Sequence, residues 1–257
     1  MIINFHQQLQ EIVAQYQDFA FLVDFDGTLV DLVPNPSKIT VPDNLVKDLN
    51  VISHAKNCAF AIVTGRPLAQ LDNFLGGLLL NAVGSHGAEC RPSHGSTIQL
   101  LAARLPTDIC EAVYHVSERH SCFFEDKASS LSLHLPFTHA GDDIMAEILH
   151  AIGKDQTDYH IRKVGRTYEI VQKGITKGSG ILHLMKQPGF YGRRPVYIGD
   201  DVNIDESLHV VINMDGILIP TIHIHHHITQ SNAQALETED VRKMVGVLAI
   251  LLKKYQC

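Results

Sequence analysis

Two aspartates near the N-terminus have the spacing of a catalytic pair. Asp24 ends a continuous apolar run at residues 19–24. Asp26 lies two residues farther along the chain, directly before Gly27. Such a run is typical of a strand buried on both faces of a parallel sheet. At the end of this strand, one carboxylate can act as a nucleophile while the other transfers protons. The alternative is an Asp-rich turn in which Gly27 takes a positive φ angle. The buried strand favours the catalytic pair.

Three more polar residues occupy comparable positions. Thr64 ends a second apolar run at residues 58–63, and Asp200 follows a third run at residues 195–198. Lys177 stands where a helix is predicted to begin, so its ammonium and free backbone N–H groups can face the same anion. The alternatives are that Thr64 only caps a helix and that Lys177 is a solvated lysine.

The elements around these residues alternate between buried strands and helical segments, which predicts an α/β fold with a parallel open sheet. Apolar residues recur at helical spacing within residues 3–17 and 241–252, and Pro42 and Pro67 favour the first turn of two further helices. Ligands of such sheets bind beyond the carboxyl ends of the strands. We therefore expect the polar residues to converge on one crevice.

The middle of the chain follows a different pattern. Helix-like and short strand-like segments alternate there, and a hairpin is predicted around Gly165. We predict an α+β module at residues 106–172 that is inserted into a core formed by residues 1–105 and 173–257.

The segment DFDGTLV at residues 24–30 resembles the first motif of the haloacid dehalogenase (HAD) superfamily, most of whose members are phosphotransferases. Thr64, Lys177 and Asp200 match the second, third and fourth motifs of that superfamily. The resemblance implies a Rossmann-like parallel-sheet core with an inserted cap domain. It also implies that Thr64 and Lys177 bind the oxygens of a phosphate group.

The acidic residues of these motifs predict a metal site. Asp24, Asp26, Asp200 and Asp201 would repel one another without a cation. Hard oxygen ligands beside a phosphate favour Mg²⁺ over zinc. The resemblance implies that Asp24 and Asp200 bind the metal through side chains and Asp26 through its backbone carbonyl. Asp201 is placed farther from the metal, and a closer role for it stays open. It further implies that Asp24 forms an aspartyl phosphate, while Asp26 acts first as acid and then as base.

Other residues resemble the trehalose-6-phosphate phosphatases within this superfamily. The resemblance rests on the Gly-Ala-Glu segment at residues 87–89 and on a Glu-x-Lys strand in the predicted module. It implies that these side chains bind the substrate: Glu125, Lys127 and Glu169 at the distal glucose, and Arg66 and Arg91 near the entrance. A solvated ion pair on a half-exposed strand is the alternative interpretation of Glu125 and Lys127.

The function implied is hydrolysis of the sugar phosphate trehalose 6-phosphate, with a functional link to a trehalose-phosphate synthase. Two alternatives stay open: a phosphatase for another sugar phosphate or glycosyl phosphate, and a catalytically silent sugar-phosphate or metal-binding module. The chain departs from the family at Asn203, where threonine is usual, and at an extra residue before Asp205. It also has Leu135-Pro136 where the family has Tyr-Arg.

Composition limits the other function classes. The formal net charge is −7, which gives no support to a nucleic-acid or anionic-membrane surface. We also expect no signal peptide and no membrane span. Five cysteines without a CxxC pair favour reduced thiols and a cytoplasmic protein. For the histidine run at residues 223–227, an edge strand with an outward polar face is favoured over a transition-metal site.

Overall fold

The computed structural model describes residues 5–33, 36–136, 142–153, 158–164, 166–201, 205, 208–222 and 236–254. Two compact units divide the chain. The core unit comprises Met1–Gln99 and Thr176–Cys257, and the inserted unit comprises Leu100–Ile175. These boundaries lie within six residues of those predicted from the sequence, on the outer side of each. The predicted His223–His227 segment lies outside the described residues.

The strands, in chain order, are β1 Phe19–Asp24, β2 Ala59–Val63, β3 Ala82–Gly84, β4 Glu89–Arg91, β5 Gln99–Leu100, β6 Phe123–Asp126, β7 Ser130–His134, β8 Tyr159–Val164, β9 Thr167–Gln172, β10 Arg194–Gly199, β11 Ile217–Ile222 and β12 Leu236–Glu237. The helices are α1 Phe5–Ala14, α2 Asp43–Ser53, α3 Leu68–Phe74, α4 Thr107–Arg119, α5 Asp142–Ala151, α6 Lys177–Leu184, α7 His209–Asn213 and α8 Thr238–Lys254.

The large sheet has the strand order β12-β11-β10-β1-β2-β3-β4-β5. From β12 to β3 neighbouring strands run parallel, whereas β4 pairs antiparallel with β3. Strand β1 lies between β10 and β2 and is buried along its whole length. The predicted α/β fold with a parallel-sheet core is confirmed. Because Asp24 pairs in register with Val63, the carboxyl ends of β1 and β2 are level.

Three helices begin directly after a proline, at Pro42, Pro67 and Pro106. Each proline is the N-cap residue with φ between −57° and −61° and an extended ψ. The sequence placed Pro42 and Pro67 inside the first helical turn, which is wrong by one residue. The fixed φ of proline and its missing N–H suit either position.

The inserted unit has a four-stranded antiparallel sheet in the order β6-β7-β9-β8. One face of this sheet is apolar and packs with α4 and α5 in a separate hydrophobic cluster, which includes Val113, Leu133 and Ile148. Side chains alternate between the two faces of a strand, so the opposite face carries the polar residues of β6, β7 and β9. Among the described residues, no helix combines the length and apolar character that a membrane span requires.

Candidate active site

Lys177 lies at the centre of a buried charge cluster at the carboxyl edge of the core sheet. It is the first residue of α6, and its Nζ atom lies 2.9 Å from Asp24 Oδ2 and 2.6 Å from Asp201 Oδ2. The Tyr197 hydroxyl, from β10, donates to Asp201 Oδ1 at 2.8 Å and accepts from Lys177 Nζ at 3.3 Å. Lys177 and Asp24 are each less than 5% exposed. The end of β1 and the start of α6 therefore lie together at this edge.

The pKa values in this cluster are set by burial and by the excess of carboxylates over positive charges. Burial raises the pKa of Asp24 well above its usual value, and the nearby carboxylates add to that effect. Burial, followed by the charge of Asp201, raises the pKa of Asp200 to about 6. Burial also acts to raise the pKa of Asp201, but the charge and hydrogen bond of Lys177 outweigh it and hold that pKa below its usual value. The two carboxylates in turn raise the pKa of Lys177, against burial.

A metal ion would fit the carboxylates of this cluster. One oxygen from each of Asp24, Asp200 and Asp201 lies within 4.8 Å of the others. Gly27 has a φ of +73°, and a Cβ atom there would lie 2.3 Å from Asp200 Oδ2, so the turn after β1 both needs glycine and allows Asp200 to approach. The donor set contains only oxygen and carries more negative charge than Lys177 neutralises, which suits Mg²⁺.

Asp26, the second predicted catalytic carboxylate, faces a different partner. Arg66 Nε and Nη2 each donate to one oxygen of Asp26 at 2.7 Å, which forms a bidentate pair. The Arg66 guanidinium also donates to Gln70 Oε1 at 2.9 Å and lies 4.9 Å from the Phe74 ring centroid. Arg66 was predicted to be near the substrate entrance; the structure places its charged group against the proposed proton carrier.

Thr64 lies at the end of β2, where the sequence placed it, and is fully buried. Its Oγ1 atom accepts from the Arg66 backbone N–H at 3.1 Å, so the hydroxyl proton stays available for an anion. Ser85 lies next to it on the following strand connection and has a left-handed φ of 48°. The Ser85 backbone N–H donates to the Arg66 carbonyl at 2.8 Å, while the buried Ser85 Oγ atom has no hydrogen-bond partner in the described ranges of the chain.

Comparisons with known proteins agree with this geometry. The sequence profile of the family described as trehalose-phosphatase matches residues 22–241. The chain belongs to the trehalose-phosphatase family. It is 30% identical over 208 residues to the trehalose-6-phosphate phosphatase of Escherichia coli. The aligned region covers 80% of this chain and 77% of that protein. It is 29% identical over 250 residues to a probable trehalose-phosphate phosphatase of Sinorhizobium fredii, covering 95% and 92%.

A solved structure of similar fold is that of the C-terminal domain of the C. albicans trehalose-6-phosphate phosphatase, with a TM-score of 0.72, 20% sequence identity and coverage of 95% of this chain and 96% of that chain. At this identity the likeness concerns the fold. Family membership makes this trehalose-phosphatase homologue a phosphoric monoester hydrolase of the HAD superfamily, and the predicted class of enzyme is confirmed.

The inserted unit of this phosphatase brings together the three residues that the sequence assigned to sugar binding. Lys127 Nζ lies 3.7 Å from Glu125 Oε2 and 3.7 Å from Glu169 Oε1. Lys127 follows the last residue of β6, so it is not on the strand itself as predicted. A hydrogen bond from His134, reinforced by the charge of Lys127, lowers the pKa of Glu125 despite its partial burial. Glu125 is therefore ionised at neutral pH.

Arg91 was predicted to bind substrate, but the structure does not bring it to the carboxyl edge of the sheet. The antiparallel pairing of β3 and β4 sets Glu89 opposite Gly84, at the carboxyl end of β3, and Arg91 opposite Ala82 at the other end. Arg91 is 2% exposed, and both of its terminal nitrogens donate to Asp72, at 2.8 and 2.7 Å. Arg91 is therefore not part of the proposed substrate site.

Two members of the charge cluster were underestimated by sequence reasoning. Asp201 was placed farther from the metal than Asp200, yet it joins the carboxylate group and pairs with Lys177. Tyr197 was counted only as part of an apolar run. Tyr197 could have been recognised because its hydroxyl lies in an otherwise aliphatic buried strand, two residues before a glycine. A buried tyrosine hydroxyl usually needs a hydrogen-bond partner.

Proposed function

We propose that this enzyme hydrolyses trehalose 6-phosphate to trehalose and inorganic phosphate through an aspartyl phosphate on Asp24. The observation that carries the proposal is the position of Lys177 between Asp24 and Asp201, beside Asp200, at the carboxyl edge of the sheet. This arrangement presents a nucleophile together with positive charge for a phosphoryl group. The names of the curated relatives support trehalose 6-phosphate as the substrate.

The first chemical step is an in-line displacement. The Asp24 carboxylate attacks phosphorus, the bond from phosphorus to the sugar oxygen breaks, and Asp26 donates a proton to that oxygen. Because both Asp26 oxygens accept from Arg66 in this structure, one oxygen must leave the bidentate pair when it carries the proton. Lys177 and Thr64 bind phosphoryl oxygens and offset their charge.

The second step regenerates the enzyme. Asp26 takes a proton from water, the water oxygen attacks phosphorus, and the bond from phosphorus to Asp24 breaks to release phosphate. The bidentate pair with Arg66 holds the Asp26 carboxylate in one orientation for this step. Asp24 and Asp200 through their side chains and Asp26 through its backbone carbonyl would hold Mg²⁺, with the Asp201 carboxylate beside them; when bound, Mg²⁺ supplies positive charge that stabilises the phosphoryl oxygens.

The inserted unit is proposed to recognise the sugar. Glu125 and Glu169 accept hydrogen bonds from sugar hydroxyls, and Lys127, which lies between them, donates one. Both carboxylates and the ammonium are already held by one another, so little side-chain freedom is lost on binding. The proposal includes a functional link to a synthase that makes the sugar phosphate. The free thiols of Cys58, Cys90, Cys110 and Cys122 support a reducing compartment such as the cytoplasm.

A panel of phosphate esters assayed with Mg²⁺ tests this function. We expect kcat/KM for trehalose 6-phosphate to exceed that for glucose 6-phosphate, sucrose 6-phosphate and p-nitrophenyl phosphate by at least about tenfold, because only trehalose 6-phosphate presents its distal glucose in the geometry that the polar face is proposed to bind. Removal of the metal by EDTA abolishes turnover and added Mg²⁺ restores it. A preference for another sugar phosphate would overturn the substrate assignment while leaving the phosphatase class intact.

The Asp24→Asn variant tests the nucleophile in the same assay. We expect it to lose turnover of every ester in the panel, by more than about a thousandfold, because an amide is a poor nucleophile. Its circular dichroism and melting temperature serve as the folding control. Retained turnover in a folded Asp24→Asn protein would contradict the aspartyl-phosphate mechanism.

A further inference from the structure

A row of polar residues crosses all four strands of the inserted unit's sheet. Glu125 on β6 pairs in register with Ser132 on β7, Ser132 with Glu169 on β9, and Glu169 with Arg162 on β8. Residues directly opposite one another project to the same face, with neighbouring strands about 4.8 Å apart. The polar face therefore does not end at Glu169 but continues for one more strand, to Arg162.

Arg162 uses only part of its hydrogen-bonding capacity in this row. Its Nε atom donates to Glu169 Oε2 at 2.8 Å, while its buried Nη2 atom has no hydrogen-bond partner among the residues that the structure describes. The Arg162 side chain as a whole remains 30% exposed. A buried guanidinium nitrogen without an acceptor is unfavourable, so this atom calls for a partner.

Ser132 presents a second unused polar atom in the same row. It is fully buried between the two glutamates, and its Oγ atom has no hydrogen-bond partner within the described part of the chain. The Lys127 ammonium lies 3.7 Å from a carboxylate oxygen of each of these glutamates. Two unpaired polar atoms in one register row indicate that the row is built for a ligand that is itself rich in hydroxyl groups.

The charge of the row indicates what kind of ligand it suits. The row contains Glu125, Glu169 and Arg162, and Lys127 lies beside the two glutamates, so the formal charges of these four residues cancel. A phosphate would meet two carboxylates there, which is unfavourable. A neutral polyol meets donors and acceptors in alternation.

We propose that Arg162 is a further sugar-binding residue of this phosphatase. Its Nη2 atom donates a hydrogen bond to a hydroxyl of the non-phosphorylated part of the substrate, while Nε keeps Glu169 in place. This assignment rests on the proposed function and extends its specificity site by one strand. Lysine cannot replace this residue, because one ammonium does not provide the two divergent donors of the guanidinium fork.

The test compares variants on trehalose 6-phosphate and on p-nitrophenyl phosphate, which lacks a sugar. The measured quantity is selectivity, the ratio of kcat/KM for the two esters. We expect Arg162→Ala and Arg162→Lys each to lower selectivity by at least about tenfold, mainly through a higher KM for the sugar phosphate. Melting temperatures establish that each variant is folded.

Lys163→Ala is the matched control. Lys163 is the next residue on β8 and projects to the opposite face, where its Nζ atom lies 5.4 Å from the Tyr168 ring centroid. The Lys163→Ala substitution removes one positive charge from the same strand, as Arg162→Ala does. We expect it to change selectivity by less than about twofold. An equal loss in Lys163→Ala would show that the charge of β8, not the contact made by Arg162, matters.

A double variant separates direct contact from support of Glu169. In a Glu169→Gln background, we expect Arg162→Ala to lower selectivity further, by at least about threefold, because Nη2 contacts the sugar itself. No additional loss would show that Arg162 acts only through Glu169 and would overturn the inference. If the wild-type enzyme shows no preference for trehalose 6-phosphate, the proposed function fails instead, and the two failures are distinguishable.

Discussion

Two arginine–aspartate pairs of this protein share one geometry and differ in location. Arg66 makes a bidentate pair with Asp26 beside the charge cluster, and Arg91 makes one with Asp72 away from it. Both arginines are less than 9% exposed. The pairs therefore form an internal comparison, in which the same chemical change should affect turnover at one position and stability at the other.

Arg66→Lys is expected to lower kcat for trehalose 6-phosphate by about tenfold with little change in KM, because a point charge no longer orients the Asp26 carboxylate for proton transfer. Arg91→Lys, the matched control, is expected to lower the free energy of unfolding by about 1–3 kcal/mol through loss of a buried hydrogen bond, with kcat changed by less than about twofold. Steady-state kinetics and urea unfolding measure both. Equal kcat values for Arg66→Lys and the wild type would show that Arg66 does not position Asp26.

Helix α6 positions Lys177 by a close approach to the sheet. Thr176 and Ser179 form a reciprocal capping box that begins the helix at Lys177. One turn later, a Cβ atom at Gly180 would lie 2.4 Å from Val83 Cγ1 and 2.9 Å from the Gly87 Cα atom. The position of the ammonium thus depends on the absence of a side chain at Gly180.

Gly180→Ala is expected to displace α6 and with it the Lys177 ammonium. We expect a fall in kcat of about tenfold and a loss of about 1–3 kcal/mol in the free energy of unfolding, as for other overpacked sites. Gly189→Ala is the control, because Gly189 has open space around its Cβ position and no positive φ. If the Gly180→Ala variant kept the wild-type kcat, the Val83 side chain would be able to accommodate the added methyl group without a shift of α6.

At the scale of the whole molecule, the two units have separate hydrophobic cores. The core unit's cluster includes Phe21, Ile62 and Leu49, and the inserted unit's cluster includes Leu133 and Ile170. Strong contacts within each cluster favour local unfolding of one unit at a time.

Leu133→Ala is expected to open the inserted unit selectively. Removing a fully buried leucine costs about 2–5 kcal/mol, so hydrogen–deuterium exchange should rise in peptides of Leu100–Ile175 while β1 and β2 stay protected. Leu49→Ala, in the core cluster, is the reciprocal control and should deprotect the core strands. Equal deprotection of β1 in Leu133→Ala would show that the two units unfold as one.

Much of the fold was predictable because its signals are local. The apolar run before Asp24 has no polar alternation, and β1 begins and ends where that run does. Helix α4 likewise begins directly after Pro106, at the predicted start of the inserted module. Each pattern depends on residues that are neighbours in the chain, so a single sequence is enough to recognise it.

The site was predictable only in part. The sequence by itself determined that Asp24, Thr64 and Asp200 lie at the ends of buried strands, and so at one edge, since parallel strands end on the same side. It also predicted that a helix begins at Lys177. Only the tertiary structure decided their partners: Asp26 with Arg66, Arg91 with Asp72, and Lys177 with Asp201. The sequence assigned Arg66 and Arg91 the same role near the substrate entrance. A long, flexible arginine side chain can, however, pair with any acceptor within its reach. Which acceptor is within reach depends on the packing of elements distant in the chain.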